Sequence, residues 1–297
     1  MPETPAGINA IAKVEPVTNA NPIIAILTDF GTRDWFVASM KGRVHQIAGP
    51  VPIVDITHEV PPGDIASGAF AFRQCRTDFP VGTIFLGVVD PGVGTARRPL
   101  VVRTDRDLFV GPDNGLASAF LEDPSCEARA IQNRWFYKET PSHTFHGRDV
   151  FAPVAAHLAT DAGFERVGYT VSDPVSLPRE SANPIDGGWT GRILYFDRFG
   201  NAVTSIDARE PFSADAPVRD KWIAQADTPK GAVRLPLRRT YGDVGPGQSV
   251  AYFGSTGLLE LAVNRGDARV QLKLQQGGTV TLKPEQLEAQ VRASSPA

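Results

Sequence analysis

Three short apolar runs near the start of the chain constrain its fold most strongly. They cover residues 23–27, 51–56 and 83–89, and the segments that follow the first two carry apolar residues three or four positions apart. Such runs are typical of parallel strands covered on both faces, and the intervals are those of amphipathic helices. The alternation predicts a Rossmann-like α/β domain with a doubly wound parallel sheet.

Two of the predicted strands end in an acidic residue followed by a glycine-containing turn. Asp29 follows the first strand, and Asp90 follows the third, where it begins a loop of one proline and two glycines that closes on Arg97. Open α/β sheets bind ligands at the carboxyl ends of their strands, where a carboxylate commonly holds ribose hydroxyls. Asp90 and Arg97 are therefore candidate catalytic residues, and Asp29 is a candidate ribose-binding residue. The alternatives are a structural ion pair across a turn and a carboxylate that only caps its loop.

A third polar stretch, residues 144–149, precedes a helix predicted over residues 150–159. His146 would lie at the positive N-terminal end of that helix, beside backbone donors that favour an anionic or electron-rich group. Its glycine neighbour indicates access rather than packing, so His146 is a candidate catalytic residue. Asp149 can cap the helix, and Phe145 either offers a ring edge to a ligand or packs in the core.

The stretch Gly111–Leu116 is another turn-forming cluster, placed between a predicted strand and a predicted helix. Asp113 and Asn114 have the residue types of a turn that precedes a helix. We interpret both as structural.

The composition of the chain changes after residue 170. Residues 171–188 are crowded with Ser, Pro, Asn, Asp and Gly and show no helical period, so they predict a linker. Short β-rich runs follow, and turn residues separate them, which predicts a small antiparallel β-barrel or sandwich over residues 189–297. The expected strands cover residues 191–196, 202–206, 232–235, 248–253, 258–263 and 270–274. The α/β domain then spans residues 22–170, and residues 1–21 form a loose tail.

The second domain begins with a candidate binding pair. Asp197 and Asn201 flank a glycine turn, and their oxygen acceptors could together hold an ammonium group. A plain β-turn explains the same residue types. Further along, Tyr241 supplies an aromatic ring and Ser255 lies in a polar run, so both are candidates to line a pocket.

Charge and composition narrow the function classes. The 297 residues carry a net charge of −3 with no long basic run, which argues against nucleic acid or an anionic membrane surface as a partner. No apolar stretch approaches the roughly 18 residues of a membrane span, and the first 21 residues lack a signal-peptide pattern. Cys75 and Cys126 lie far apart and form no metal-ligand spacing, so a reducing, cytoplasmic location without a metal site is expected.

Taken together and in order, these motifs closely resemble the S-adenosyl-L-methionine hydrolase (adenosine-forming) family, also called SAM hydroxide adenosyltransferases, which are relatives of the fluorinase. The resemblance runs from about residue 23 to about residue 264. Its most specific parts are TDFG (28–31), VVDPGVGTAR (88–97), GPDNGL (111–116), TFHGRDVFAP (144–153) and FGN (199–201). It implies an N-terminal α/β domain, a C-terminal β-barrel and a homotrimer with active sites between neighbouring subunits.

The resemblance also implies a reaction and a role for each residue. Water or hydroxide attacks the ribose 5′ carbon of S-adenosyl-L-methionine and releases L-methionine and adenosine, with no cofactor. The family's Asp–Arg–His set falls on Asp90, Arg97 and His146, and its ribose-binding aspartate on Asp29. The substrate-binding positions fall on Asp197 and Asn201 for the ammonium, Tyr241 for adenine and Ser255 for the carboxylate. Thr256 lies at a position where the fluorinase has an arginine, so this chain differs from the fluorinase there.

Elementary chemistry discriminates this reaction from two alternatives. The sulfonium makes methionine a good neutral leaving group, so what remains is to position a water, and orientation can supply up to about 7–11 kcal/mol of such a barrier. A halide-using synthase is the first alternative, but an ionised Asp90 would repel an anion, and the fluorinase has an uncharged residue there and a tyrosine in place of His146. A non-catalytic sensor of S-adenosyl-L-methionine or adenosine is the second, and it has no use for the three charged residues together.

Overall fold

The computed structural model describes residues 22–137, 139–209 and 221–285. The tail predicted over residues 1–21 lies outside the described residues. The chain divides between Ser176 and Leu177 into two compact units. Of the segment expected to be a linker, residues 183–185 form a strand of the second unit.

The first unit is built around a six-stranded sheet with the strand order β2-β1-β3-β5-β4-β6. Its elements are β1 (Ile24–Thr28), α1 (Phe36–Ala48), β2 (Ile53–Thr57), α2 (Ile65–Cys75), β3 (Ile84–Val88), β4 (Pro99–Arg103), β5 (Leu108–Pro112), α3 (Ser118–Leu121), β6 (Glu127–Ala130) and α4 (Ala152–Ala159). Strands β2, β1, β3 and β5 are parallel, whereas β4 pairs antiparallel with β5 and β6. The parallel arrangement predicted from the first three strands is confirmed, and the antiparallel edge formed by β4 and β6 is an addition to it. Four residues join β4 to β5, which suffices for a hairpin but not for a parallel crossover.

Helices cover both faces of this sheet. Ile24 and Ile26 of β1 pack in one core cluster with residues of α1 and α4, whereas Ala25 and Leu27 pack in another with residues of α2 and α3. All five β1 side chains are buried, which explains why the strand carries no alternating polar residues. The side chains of β1 pack alternately into the helix layers on the two faces of the sheet. This packing holds the carboxyl end of β1, where the polar turn begins, in a fixed position.

The second unit is an antiparallel sheet that nearly closes into a barrel. Its strand order is β11-β10-β14-β8-β9-β13-β12, and β7 pairs with β8. Leu237 forms a bridge with Ala251, so the chain that leaves β11 reaches β12 and brings the two ends of the sheet together. Its elements are β7 (Asn183–Ile185), β8 (Gly188–Phe196), β9 (Ala202–Asp207), β10 (Trp222–Ala226), β11 (Val233–Pro236), β12 (Ser249–Phe253), β13 (Leu258–Val263), α5 (Ala268–Gln271) and β14 (Thr279–Pro284).

One strand expected in this unit is wrong. Residues 268–271 form the short helix α5, which overlaps the predicted strand 270–274 at residues 270 and 271. Asp267 caps this helix by accepting a hydrogen bond from the Val270 amide at 2.8 Å, and such a cap outweighs the β preference of one valine. No helix in the described ranges is long and apolar enough to cross a membrane.

Candidate active site

The loop from Asp90 to Arg97 leaves the carboxyl end of β3 and folds back on itself. The Val93 amide donates to the Asp90 carbonyl at 3.2 Å, and the Thr95 amide donates to the Gly92 carbonyl at 3.2 Å. Gly94 has a φ of +78°, and a Cβ there would lie 2.5 Å from the carbonyl oxygen of His143. Only glycine fits, because the loop lies directly against the segment that leads to His146.

Arg97 joins the three predicted catalytic residues into one group. Its Nε donates to Asp90 Oδ1 at 3.1 Å, and its Nη2 contacts both Asp90 Oδ2 and, at 3.1 Å, His146 Nδ1. The Asp90 and Arg97 side chains are only 4% and 8% exposed. A bidentate pair at this depth fixes the orientation of both partners, so the carboxylate and the imidazole are presented together.

The electrostatic setting keeps His146 neutral. Burial lowers the pKa of His146 below its ordinary value of 6.5, and the positive charge of Arg97 lowers it further, while Asp90 acts in the opposite direction. Because Nδ1 accepts a hydrogen bond from Arg97, the single proton of the neutral ring lies on Nε2. His146 therefore offers an Nε2–H donor that is not used by Arg97.

Arg97 also carries a donor that nothing satisfies within the described residues. Its Nη1 is buried and has no hydrogen-bond partner there. The guanidinium carbon lies 5.3 Å from the centre of the Phe151 ring, so one side of the group faces an aromatic surface. An unsatisfied buried donor costs about 1–3 kcal/mol, so the fold keeps this part of Arg97 unpaired at a cost in stability.

His146 is held by an unusual turn of helix. The helix predicted from residue 150 begins earlier, because residues 147–151 form a π-helical turn before α4. Asp149 does not cap it: its side chain pairs with Arg148 and accepts from the Ser142 amide at 2.8 Å. Single π-helical turns are frequent at functional sites.

Phe145 belongs to the core rather than to an open pocket. It is 9% exposed and its ring meets those of Phe30 at 6.0 Å and Phe36 at 5.3 Å. The Arg148 guanidinium lies 4.9 Å from the centre of the same ring. In this structure the Phe145 ring packs in the core and anchors the segment that carries His146, and its contact with a ligand stays a prediction.

Asp29 lies at the same edge of the sheet as Asp90. The two residues follow β1 and β3, which are adjacent parallel strands with Thr28 opposite Val88. Asp29 accepts a hydrogen bond from the Gly63 amide at 2.8 Å through Oδ2. The carboxylate therefore orders the turn after β2 and is half-buried at the strand end where α/β folds bind ligands.

The two residues of the predicted ammonium-binding pair, in the second unit, are hydrogen-bonded to each other. Asp197 accepts from the Phe199 and Asn201 amides at 2.9 and 2.8 Å, and from the Asn201 side-chain amide at 2.9 Å. Gly200 between them has a φ of +81°, and a Cβ there would lie 2.2 Å from the carboxylate of Asp267. The turn therefore fixes an aspartate and an asparagine side by side, as ammonium recognition by oxygen acceptors requires.

The other predicted binding residues lie on turns of the second unit. Tyr241 is 57% exposed, and its ring makes an edge contact with that of Tyr252 at 6.2 Å. Ser255 is exposed in the turn between β12 and β13, where the Gly254 amide donates to the Leu258 carbonyl at 2.9 Å. Neither side chain is confined by the core of its unit.

Sequence reasoning placed Glu260 only at the end of the polar run that contains Ser255, whereas the structure places it within β13. Burial raises the pKa of Glu260, a hydrogen bond from Tyr252 opposes this effect, and the negative charge of Asp197 raises the pKa further. The influence of Asp197 indicates that the two carboxylates share one region of the second unit. A single acid in the apolar run Leu258–Val263 is the only sequence signal that marks it.

In the part of the chain that the structure describes, no group of three or more His, Cys, Asp or Glu residues could hold a metal ion.

Comparison with known proteins finds relatives over most of the chain. The chain is 42% identical over 270 residues to an (R)-S-adenosyl-L-methionine hydrolase of Thermus thermophilus, an alignment that covers 87% of this chain and 98% of the relative. A protein of the same name from Salinispora tropica is 38% identical and is covered to 92%. A fluorinase of an Actinoplanes species is 30% identical over 295 residues, which cover 89% of this chain and 98% of the relative.

Solved structures share the fold. An uncharacterized conserved protein from Thermotoga maritima superposes with a TM-score of 0.80 at 34% identity, covering 88% of this chain and 99% of that one. Family models described as the N-terminal and C-terminal domains of SAM hydroxide adenosyltransferase match residues 24–168 and 191–281. These matches span most of both units and include the buried Asp–Arg–His group. The chain belongs to the SAM hydroxide adenosyltransferase family.

Proposed function

We propose that this protein hydrolyses S-adenosyl-L-methionine to adenosine and L-methionine by in-line attack of water or hydroxide on the ribose 5′ carbon. The observation that carries the proposal is the buried group in which Arg97 joins Asp90 to a neutral His146. Relatives named (R)-S-adenosyl-L-methionine hydrolase, at up to 42% identity over most of the chain, support the same activity.

The Asp90–Arg97–His146 group suits a reaction whose leaving group does not have to be protonated. Methionine departs from the sulfonium as a neutral thioether, so the protein has only to hold a water in line with the breaking carbon–sulfur bond. Asp90 is the acceptor for the water proton, because an ionised carboxylate has lone pairs beyond the two that Arg97 engages. His146 donates from Nε2, and this donor can orient the attacking oxygen.

The assignment of the proton to Asp90 follows from the state of His146. For the imidazole to accept a proton at Nδ1, Arg97 would have to give up its hydrogen bond to that atom. The lowered pKa of His146 makes the protonated ring unfavourable as well. His146 therefore orients the water, and Asp90 takes its proton.

Substrate binding is divided among the remaining residues. Asp29 holds the ribose hydroxyls, and Asp197 with Asn201 holds the methionine ammonium. Tyr241 covers the adenine and Ser255 binds the carboxylate, while Phe145, assigned from the sequence as a binding residue, also anchors the segment of His146. The substrate is a small molecule, and no cofactor takes part.

Assembly into a homotrimer with sites at subunit interfaces is part of the same proposal. Phe199 and Val270 are 74% and 67% exposed, and the Arg269 amide donates to the Gly200 carbonyl, so two large apolar side chains lie on adjoining segments beside Asp197. A second copy of the chain would cover this surface. Light scattering with parallel rate measurements tests it: full specific activity in a monomer would contradict the assembly.

A cytoplasmic location is also part of the proposal, in keeping with two free cysteines among the described residues.

A halide-using synthase is the second candidate, since fluorinases are 30% identical or slightly less. The buried, ionised Asp90 opposes it, because an anion brought beside that carboxylate would be repelled by several kcal/mol in a poorly hydrated site. The structure of the reacting group therefore favours water.

Product identification tests the proposal. The purified protein is incubated with S-adenosyl-L-methionine in halide-free buffer, with and without a chelator, and the products are identified by mass spectrometry. Equal amounts of adenosine and methionine are expected under both conditions. Absence of adenosine would contradict the activity, and activity that is lost on chelation and restored by added metal would contradict a metal-free reaction.

A further inference from the structure

We infer that Asp113 and Asn114, the two residues that follow β5, are positioning residues that clamp both ends of the catalytic loop Asp90–Arg97. The inference rests on the proposed function, because that function makes the loop catalytic. Sequence reasoning treated both residues as parts of a local turn, and their contacts across the sheet give them a further role.

Asn114 holds the start of the loop. Its Nδ2 donates to the carbonyl oxygen of Val89 at 2.8 Å, and Val89 immediately precedes Asp90. The Oδ1 of the same side chain accepts from the Leu116 amide at 3.2 Å. One amide group thus ties the local turn after β5 to the backbone of the neighbouring strand end. A sequence-distant bond of this kind leaves the peptide before Asp90 little freedom to rotate.

Asp113 holds the end of the loop. Its amide donates to the Arg98 carbonyl at 2.9 Å, and its Oδ2 accepts from Arg98 Nε at 2.8 Å. Arg98 immediately follows Arg97. The Asp113 side chain is 1% exposed, and its second oxygen accepts from the Val175 amide at 2.7 Å, so the carboxylate is itself immobilised.

The two contacts together fix the separation of the catalytic carboxylate and guanidinium. Adjacent residues of one turn hold the residue before Asp90 and the residue after Arg97, while the loop between them makes its own internal bonds. A displacement of about 1 Å in a catalytic group can cost about 10²-fold in rate. Loosening the clamp should therefore lower turnover, with little change in substrate affinity.

The chain supplies a matched control for Asn114. Asn133 makes the same pair of bonds: its Oδ1 accepts from the Trp135 amide at 3.1 Å, and its Nδ2 donates to the Arg166 carbonyl at 3.0 Å. Neither partner is part of the reacting group. Removing either asparagine therefore costs one local and one long-range hydrogen bond, and only Asn114 is tied to the catalytic loop.

The experiment compares Asn114→Ala, Asn114→Asp and Asn133→Ala in steady-state kinetics and thermal unfolding. Asn114→Asp keeps the acceptor for Leu116 and loses the donor to Val89. We expect kcat to fall about 10- to 100-fold in both Asn114 variants with KM within about threefold, and to stay at the parental value in Asn133→Ala. Parental turnover in Asn114→Asp, or an equal loss in Asn133→Ala, would overturn the clamp.

A second readout separates this inference from the proposed function. The pKa of His146 is measured by NMR in the same variants without substrate, since it depends on how closely Arg97, Asp90, His143 and Asp149 are held around the ring. A loosened loop moves Arg97 away, so the pKa of His146 should rise in the Asn114 variants and stay unchanged in Asn133→Ala. If the parental protein proves inactive on S-adenosyl-L-methionine, this shift still supports the clamp. An unchanged pKa in the Asn114 variants contradicts it.

Discussion

The two units hold their candidate site residues in opposite ways. In the first unit, Asp90 and Arg97 are buried, joined to each other and joined to His146. In the second, Tyr241 and Ser255 are exposed on turns, and the Asp197–Asn201 pair occupies a tight turn of its own. Electrostatic groups that act on a transition state work best when they are fixed beforehand, whereas binding groups can be ordered by the ligand. Substitutions in the Asp90–Arg97–His146 group of the first unit should therefore change mainly turnover, and substitutions in the second unit should change mainly affinity.

Removal of the Asp90 charge has the largest expected effect. Asp90→Asn keeps the shape of the side chain, so kcat should fall about 10²-fold or more, the size expected when a positioned acid–base group is lost. KM should change little. Steady-state kinetics with chromatographic detection of adenosine measure both, and high chloride tests whether a halide product becomes detectable once the repelling charge is gone.

Asp107→Asn is the matched control for that variant. Asp107 is as buried as Asp90 and also pairs with an arginine, Arg76, at 2.7 Å, but it lies at the other end of β5 from the carboxyl edge of the sheet. Its replacement should affect stability more than turnover. An equal loss of turnover in the two variants would mean that Asp90 is only a structural partner of Arg97.

Asp29 is expected to have the next largest effect, and in affinity although it belongs to the first unit. Loss of a charge-assisted hydrogen bond costs about 1.5–3 kcal/mol, so Asp29→Ala should weaken adenosine binding about 10- to 100-fold in titration calorimetry. Asp29→Asn retains an oxygen acceptor for the Gly63 amide and so keeps the turn after β2 in place. Unchanged adenosine affinity in both variants would contradict ribose recognition by Asp29.

Asp197 tests the second unit directly. Asp197→Asn should raise KM about tenfold with kcat close to the parental value, because one charge facing the ammonium is lost while the turn keeps an oxygen acceptor. The pKa of Glu260 should fall in the same variant, since the negative charge of Asp197 raises it. Asp207→Asn, where the carboxylate pairs with Arg209, serves as the control and should leave KM unchanged. A fall in kcat with unchanged KM would remove the contrast between the units.

The protonation of His146 gives the smallest but most specific effect. Its pKa should lie below 6.5, so the ring is neutral at pH 7 and activity should fall only in more acidic solution, where a proton on Nδ1 displaces Arg97. Arg97→Gln removes a cause that lowers the pKa, while Asp90 still raises it. The midpoint in an NMR titration should therefore move to higher pH in Arg97→Gln. A midpoint above 6.5 in the parental protein would contradict the neutral imidazole.

The acidic residues of the site could be predicted from the sequence because residues at the carboxyl ends of adjacent parallel strands lie close together at one edge of the sheet. Asp29 and Asp90 each follow an apolar run, and adjacent parallel strands bring such residues to one edge. The antiparallel edge of the sheet was not predicted, because apolar runs such as residues 100–102 have no feature that gives their direction. The segment 270–274 was misread since a short capped helix and a short strand look alike over four residues.

Contacts between distant segments set the limit of sequence reasoning at the site. Nothing in the residue type of Asn114 indicates that its side chain crosses to Val89, and nothing around Phe145 separates a ring that packs from a ring that binds. The burial of Glu260 was not predicted, since a buried acid is recognisable only from what surrounds it. Each of these depends on tertiary packing that no local pattern encodes.

The origin of the oxygen in the product tests the central claim most directly. The reaction is run with S-adenosyl-L-methionine in water enriched in oxygen-18, and the adenosine is analysed by mass spectrometry with fragmentation of the ribose. If water attacks the 5′ carbon beside Asp90, one heavy oxygen should appear at the 5′ hydroxyl and none in methionine. Adenosine without the label, or label in methionine, would contradict the mechanism.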